Sequence, residues 1–281
     1  MTEARRGRGI VRPFALLALL GAAVLAGCQS TAPVLDMTRI EAEQGSEENI
    51  ASLSAVIARS PRDASAYNVR GSAYARAGRY EDAIADFDQA LALQPSMYEA
   101  YANRAHVHAA RNEAALAVED YNRALRVKPD YDVALIGRGE VYRLNGRAQQ
   151  AFADFQRAIQ LDTTDPRAYH RRGLLYQTSG QHQFAIEDFA TAISLAPREP
   201  HSYNGRGVSY MAIGDHENAA ADFNTAIKLD KTNAEGWANQ AALLETRGEN
   251  QRAARSYAEA LKHDPNYTFA KNGLERTRKA G

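Results

Sequence analysis

Residues 64–97 read ASAYNVRGSAYARAGRYEDAIADFDQALALQPSM, and the same 34-residue spacing returns without insertion at 98–131, 132–165, 166–199, 200–233 and 234–267. A fixed period of this length marks a stack of small supersecondary units, each burying its apolar face against the next. Written in register, the six copies act as an internal alignment. Large side chains recur at the fourth position (Tyr67, Tyr101, Leu135, Tyr169, Tyr203, Trp237) and at the twenty-fourth (Phe87, Tyr121, Phe155, Phe189, Phe223, Tyr257). Small residues alone fill the eighth position (Gly71, Ala105, Gly139, Gly173, Gly207, Ala241), and alanine fills all six copies of the twentieth and twenty-seventh. Two helices can therefore approach closely. At the fifteenth position stand Gly78, Asn112, Gly146, Gly180, Gly214 and Gly248, where a helix ends in a left-handed residue that Gly or Asn adopts at least cost. Each unit reads as helix, tight turn, helix, and Pro95, Pro129, Pro197 and Pro265 close four of the six.

The aromatic, Gly, Tyr, Ala, Phe, Ala and Pro positions resemble the tetratricopeptide repeat over 64–267. The resemblance implies an all-α fold, a right-handed α-solenoid of six helix-turn-helix units with helical caps at both ends. Residues 46–63 read as an N-terminal capping helix from a degenerate unit, with Ile50, Leu53, Val56 and Ile57 at helical spacing, and 268–281 as a C-terminal capping helix carrying Phe269 and Leu274. One position departs from the family, which usually has an aliphatic residue at the seventh. Here Arg70, Arg104, Arg138, Arg172 and Arg206 stand there, mirrored at the twenty-third by Asp86, Asp120, Asp154, Asp188 and Asp222. In the last unit Gln240 and Ser256 replace the base and the acid together. The covariation implies guanidinium–carboxylate pairs that join the two helices of a unit, or adjacent units.

Ahead of the repeats, Arg5, Arg6, Arg8 and Arg12 precede an apolar run from Phe14 to Ala26. The run is shorter than the ~20 residues that span a bilayer, so 1–27 reads as an export signal. Leu25, Ala26, Gly27 and Cys28 look like a bacterial lipobox, which implies a signal cut before Cys28 and acylation of that residue. Cys28 is the single cysteine of the chain. Two or three acyl chains meet the requirement for stable anchoring that one chain does not. Gln29, where Asp would retain such a protein in the inner membrane, implies the periplasmic face of the outer membrane in a double-membrane bacterium, or the outer leaflet of the plasma membrane in a single-membrane one. Residues 28–45 then form a lipidated, flexible tether.

The 34 basic and 34 acidic residues balance, and loss of 1–27 would leave a net charge of about −3. No clustered positive footprint points to nucleic acid. The seven histidines include no HExxH pair, and the sequence holds no Gly-rich phosphate loop and no GxSxG elbow. No catalytic residue, metal or cofactor is expected. By the family's pattern the concave wall is lined by the second, fifth, ninth, twelfth and thirteenth positions, which in the third to fifth units include Val133, Ile136, Glu140 and Arg143; Arg167, His170, Leu174 and Gln177; His201, Asn204, Val208 and Met211. These form a groove expected to be apolar at its centre and polar at its edges, suited to an extended or helical peptide. The alternative is that they merely fill a narrow superhelix. The Lys/Asn clamp with which some family members hold a peptide's terminal carboxylate is incomplete here. The resemblance implies a membrane-anchored, non-enzymatic adaptor for envelope proteins such as cell-wall hydrolases or proteases. A pilotin or outer-membrane assembly factor for a secretin or barrel machine is the second reading, and a homodimer through the end helices stays open.

Overall fold

The first helix of every unit starts on the first residue of the 34-residue frame, and the second starts sixteen residues later. This is seen in a computed structural model that describes residues 44–161 and 163–279. After α1 (Glu47–Arg59) come six pairs: α2 (Ala64–Arg76) with α3 (Tyr80–Leu93), α4 (Tyr98–Ala110) with α5 (Ala114–Val127), α6 (Asp132–Leu144) with α7 (Ala148–Gln160), α8 (Pro166–Thr178) with α9 (His182–Leu195), α10 (Pro200–Ala212) with α11 (His216–Leu229), and α12 (Ala234–Thr246) with α13 (Asn250–His263). Helix α14 (Thr268–Lys279) closes the stack. Among the described residues every regular element is a helix. The segment 1–27, Cys28 and the tether up to residue 43 lie outside the described residues.

The turn inside each unit follows from one residue. Gly78 has φ of 74°, which lets Arg79 N–H reach Tyr74 O at 2.9 Å and Gly78 N–H reach Ala75 O at 3.1 Å, so two orphan carbonyls of α2 are satisfied. Asn112 takes the same left-handed conformation at φ of 61°. Some helix starts, among them those of α2 and α12, are capped by short acceptors. Asp63 accepts from Ser65 N–H and Ala66 N–H, and Asn233 accepts from Gly236 N–H at 2.8 Å.

Each first helix packs on its own partner, on the second helix of the preceding unit, and on the first helix of the next unit. Second helices make no comparable packing with one another among the described residues. The stack therefore curves with α2, α4, α6, α8, α10 and α12 on its inner wall. Its core runs along the seam between the two rows of helices. Phe87, Phe155, Phe189 and Phe223 are fully buried there, each against a glycine of its partner helix. A Cβ on Gly139 would lie 2.7 Å from the Phe155 ring, and one on Gly207 would lie 2.7 Å from Phe223. Phe189 also meets Gly205 of the following helix, 2.7 Å from where a Cβ there would lie, and units two and six rely on that second contact alone. Ala105 and Ala241 stand where the others have glycine, the ring becomes Tyr121 or Tyr257, and its outer end presses on a glycine of the following helix, Gly137 or Gly273.

The end helices are fixed by specific contacts. Ile50 and Ile57 bury α1 against the first unit. On α14, Arg276 forks onto Glu245 at 2.9 and 3.0 Å, and the same carboxylate accepts from the Tyr257 hydroxyl at 2.9 Å.

Candidate functional site

The five arginines at the seventh position all fork onto the aspartate sixteen residues later, within one unit. Arg70 Nε and Nη2 donate to Asp86 at 2.7 Å each, and the other four pairs, Arg104 with Asp120, Arg138 with Asp154, Arg172 with Asp188 and Arg206 with Asp222, keep between 2.6 and 2.8 Å. The aspartates are buried. Their hydrogen bonds hold the Arg70 and Arg206 guanidiniums above the ordinary range, more firmly charged than in water. The remaining nitrogen reaches back to the twenty-fifth position of the preceding unit. Arg138 Nη1 donates to Asn122 Oδ1 and Arg172 Nη1 to Gln156 Oε1, both at 2.5 Å; Arg104 pairs likewise with Asp88, and Arg70 donates to Ser54 Oγ of α1 at 3.0 Å. Where Ala190 stands at this position, Arg206 makes no such third bond among the described residues. The sixth unit keeps the chain of bonds without charge. Gln240 Nε2 donates to Asn224 Oδ1 at 2.7 Å, and Ser256 Oγ donates to Gln240 Oε1 at 2.9 Å. Of the two alternatives read from sequence, the arginine–aspartate pairs follow the first and join the two helices of one unit, while the link to the preceding unit runs through the twenty-fifth position. The twenty-fifth position was the part missed, although its polar run of Ser54, Asp88, Asn122, Gln156 and Asn224 was visible.

On the inner wall the expected residues divide. Arg167, His170, Leu174 and Gln177 of α8 and His201, Asn204 and Val208 of α10 line one concavity of about 790 Å³, with Arg171, Glu199 and, from α12, Glu235 and Asn239. The residues from α6 and one from α10 do otherwise. Ile136 is 3% exposed and packs with Leu135 around Phe155 and Ala168, so it belongs to the core. Met211 packs against the Phe223 and Leu243 cluster. Val133 is exposed near the start of α6. Glu140 is held by Arg143 at 2.8 and 3.0 Å and approached by Arg171 at 3.4 Å, which keeps this carboxyl below its ordinary range against the opposing pull of burial.

The concavity is more polar than the sequence pattern implied, with Leu174 and Val208 as its aliphatic floor. Arg167 is spent on Asp165, the cap of its own helix, through Nε at 3.0 Å and Nη2 at 2.5 Å. Gln177 bridges to α10 through Gly205 O and Ser209 Oγ, both at 2.9 Å. Asn239 Nδ2 donates to Asn204 Oδ1 at 3.1 Å. His170 shares a hydrogen bond of 3.0 Å with Ser202 Oγ and lies against the Phe189 ring. Burial, helped by the neighbouring Arg171, His201 and Arg143 and opposed by Glu140, lowers its pKa to about 4, so the ring is neutral at pH 7. Glu235 makes no hydrogen bond or ion pair among the described residues and stands exposed on the rim. No group of three or more His, Cys, Asp or Glu among the described residues is arranged to hold a metal ion. No described helix is long and apolar enough to cross a membrane.

A stack of six 34-residue helix pairs with a lined inner wall defines a helical-repeat protein of the solenoid class. Tetratricopeptide-repeat models match 64–97, 98–131 and 170–234, and a TPR-repeat model matches 139–180, together more than half of the chain; the protein belongs to the tetratricopeptide-repeat family. No curated protein matches it by sequence. Solved structures similar in fold include the Cut9–Hcn1 hetero-tetramer of the APC/C, with a TM-score of 0.76 and 19% identity over 87% of this chain, which spans about half (49%) of that one. Others are Pseudomonas aeruginosa PilF, at 0.69 and 22% over 77% of this chain and 99% of that chain, and YrrB, a TPR protein with an unusual peptide-binding site, at 0.55 and 18% over 67% and 97%. At these identities the likeness is one of fold.

Proposed function

We propose that this protein is a non-enzymatic scaffold that binds peptide segments of envelope proteins in the concavity between α8, α10 and α12, while lipid on Cys28 anchors it to the bacterial membrane, at the periplasmic face of the outer membrane. The observation that carries the reading is the lining of that concavity. Leu174 and Val208 offer contact area, the Asn204–Asn239 pair offers amide groups that match a peptide backbone, and Arg171 and Glu235 stand on opposite sides with charge to fix register. Cell-wall hydrolases and proteases are the partner class proposed first, because an anchored, tethered groove is all that such an adaptor requires.

The second reading, a pilotin or outer-membrane assembly factor, is supported by the similarity in fold to PilF and to PilW, a type IV pilus biogenesis factor whose chain is matched over 98% of its length with a TM-score of 0.67. The test is affinity capture from crosslinked envelopes with the full chain and with a Leu174→Asp/Val208→Asp variant of unchanged helicity. Ile136 is left intact because its loss would damage the core. A hydrolase or protease that disappears with the variant supports the adaptor. Secretin or barrel-machine subunits in its place support the assembly factor, and equal capture by both baits removes the groove from the proposal.

A further inference from the structure

Another concavity lies where first helices end and second helices begin. It has a volume of about 440 Å³ between α5 and α6 and is lined by Ala114, Ala115, Val118, Val141, Tyr142, Asn145 and Arg147. The start of α5 is unusual among the six second helices. It reads Ala114, Ala115, Leu116, Ala117, Val118, whereas the corresponding stretches carry Glu81 and Asp82, Gln149 and Gln150, Gln183, Glu217 and Asn218, or Gln251 and Arg252. Leu116, next to the lining Ala115, is 47% exposed. Apolar surface gathered in this way around a depression is characteristic of an interaction site.

The repeat itself shows what fits. One unit along, the position of Val118 is occupied by Phe152, and the position of Tyr142 by Tyr176. There the two rings meet edge to face, with centroids 5.3 Å apart and planes at 79°, and Phe184 covers the other side of Tyr176 at 5.3 Å. Among the described residues Tyr142 has no aromatic neighbour within such range; Arg138 and Arg147 lie over it, each 5.9 Å from the centroid. At the first joint Tyr80 and Ile84 pack into the equivalent space, and at the last joint a smaller concavity of about 230 Å³ is lined by Ala220, Leu243, Leu244 and Arg247, the last donating to His216 O at 2.7 Å. Only ~150 Å³ is enough for a benzene ring in an apolar cavity. Edge-to-face contact with Tyr142 and a guanidinium at the rim both favour an aromatic guest.

We propose that the α5–α6 notch is a docking site for a phenylalanine side chain of a partner polypeptide, seated on Tyr142 as Phe152 is seated on Tyr176. The site is independent of the inner-wall concavity. The probe is the peptide acetyl-Ala-Phe-Ala-amide, titrated against the full chain with amide and methyl NMR shifts as the readout and acetyl-Ala-Ala-Ala-amide as control. Saturable shifts at Val118, Val141 and Tyr142 are expected with the phenylalanine peptide alone, and they should vanish in Val118→Phe, which plugs the notch from within and raises Tm. A wild-type titration without shifts at these residues overturns the proposal. So do shifts that persist in Val118→Phe, since the ring would then sit elsewhere. A Leu174→Asp/Val208→Asp protein should respond as the wild type does, which separates this site from the inner wall.

Discussion

Arg138 holds Asp154 with Nε 2.8 Å from Oδ2 and Nη2 2.6 Å from Oδ1, while its third nitrogen reaches Asn122 of the preceding unit at 2.5 Å. The guanidinium is 21% exposed and the carboxylate 8%. Removing the acid leaves a largely buried cation without its partner, which costs about 3 kcal/mol. Asp154→Ala should therefore lower urea-unfolding stability by roughly that amount, whereas Asp88→Ala, at a carboxylate 56% exposed, should cost under about 1 kcal/mol. Equal midpoints for the two variants would show that the fork does not stabilise the unit.

The ring of Tyr121 presses on Gly137 so closely that a Cβ there would fall inside its van der Waals surface. Tyr121 is nearly fully buried between two units, so the overlap cannot be relieved by a swing into solvent. Gly137→Ala should destabilise by about 2–3 kcal/mol, the range of core overpacking. Gly78→Ala has open space around the new methyl and is limited to the cost of φ at 74°. Thermal melts of the two variants separate the mechanisms. A Tyr121→Leu change made together with Gly137→Ala should recover part of the first loss and none of the second.

His170 gives stability a pH dependence whose sign follows from its depressed pKa. The unfolded imidazole takes up a proton near its ordinary 6.5, and the folded one resists until about 4. Between these values the unfolded state binds more protons, so stability falls as pH falls from about 6.5 to about 4, by up to about 3 kcal/mol. Above pH 7 the ring is neutral in both states and contributes no slope. His170→Gln should flatten the stability profile relative to wild type in that window. Parallel profiles for the two proteins would rule out a buried neutral histidine.

The fold was legible because six copies of one unit revealed which positions tolerate variation and which do not. Gly or Asn at the turn, the small eighth position and the aromatic twenty-fourth each encode a backbone or packing requirement that acts locally. The inner wall was less legible, because a residue's position in the frame fixes its direction but not its neighbours. His170 and Asn204 share the fifth position with Ile136, yet the polar pair lines the concavity while the isoleucine packs with Leu135, Phe155 and Ala168. The link between the ring at the twenty-fourth position and a glycine at the sixth of the next unit also spans two repeats, and Phe189 with Gly205 shares it. It emerges only when adjacent copies are compared, as Tyr121 with Gly137 and Tyr257 with Gly273.

The lipidation proposed at Cys28 is tested by a partition experiment. Two or more acyl chains hold a protein on a membrane, at ~0.8 kcal/mol per buried methylene, and their loss frees it. The wild-type chain expressed with its own N-terminus should enter the detergent phase, and Cys28→Ser should move to the aqueous phase. Detergent partition by the serine variant would mean that the membrane association has another source.

The neutral sixth unit offers the strongest test of the polar ladder, since the protein already contains both versions of the same joint. Gln240 bonds to Asn224 and Ser256 as Arg138 bonds to Asn122 and Asp154, with the same sequence separations. Gln240→Arg alone places a cation beside a serine that cannot neutralise it, and Ser256→Asp alone buries a carboxylate beside an amide. Each single change should cost about 1–3 kcal/mol. The double change reconstructs the fork of the third unit and should return to within about 1 kcal/mol of wild type, an interaction energy of roughly 2 kcal/mol or more in a double-mutant cycle. Additive losses would mean that the arginine forks depend on context outside these positions, and the ladder would not be a transferable element of the repeat.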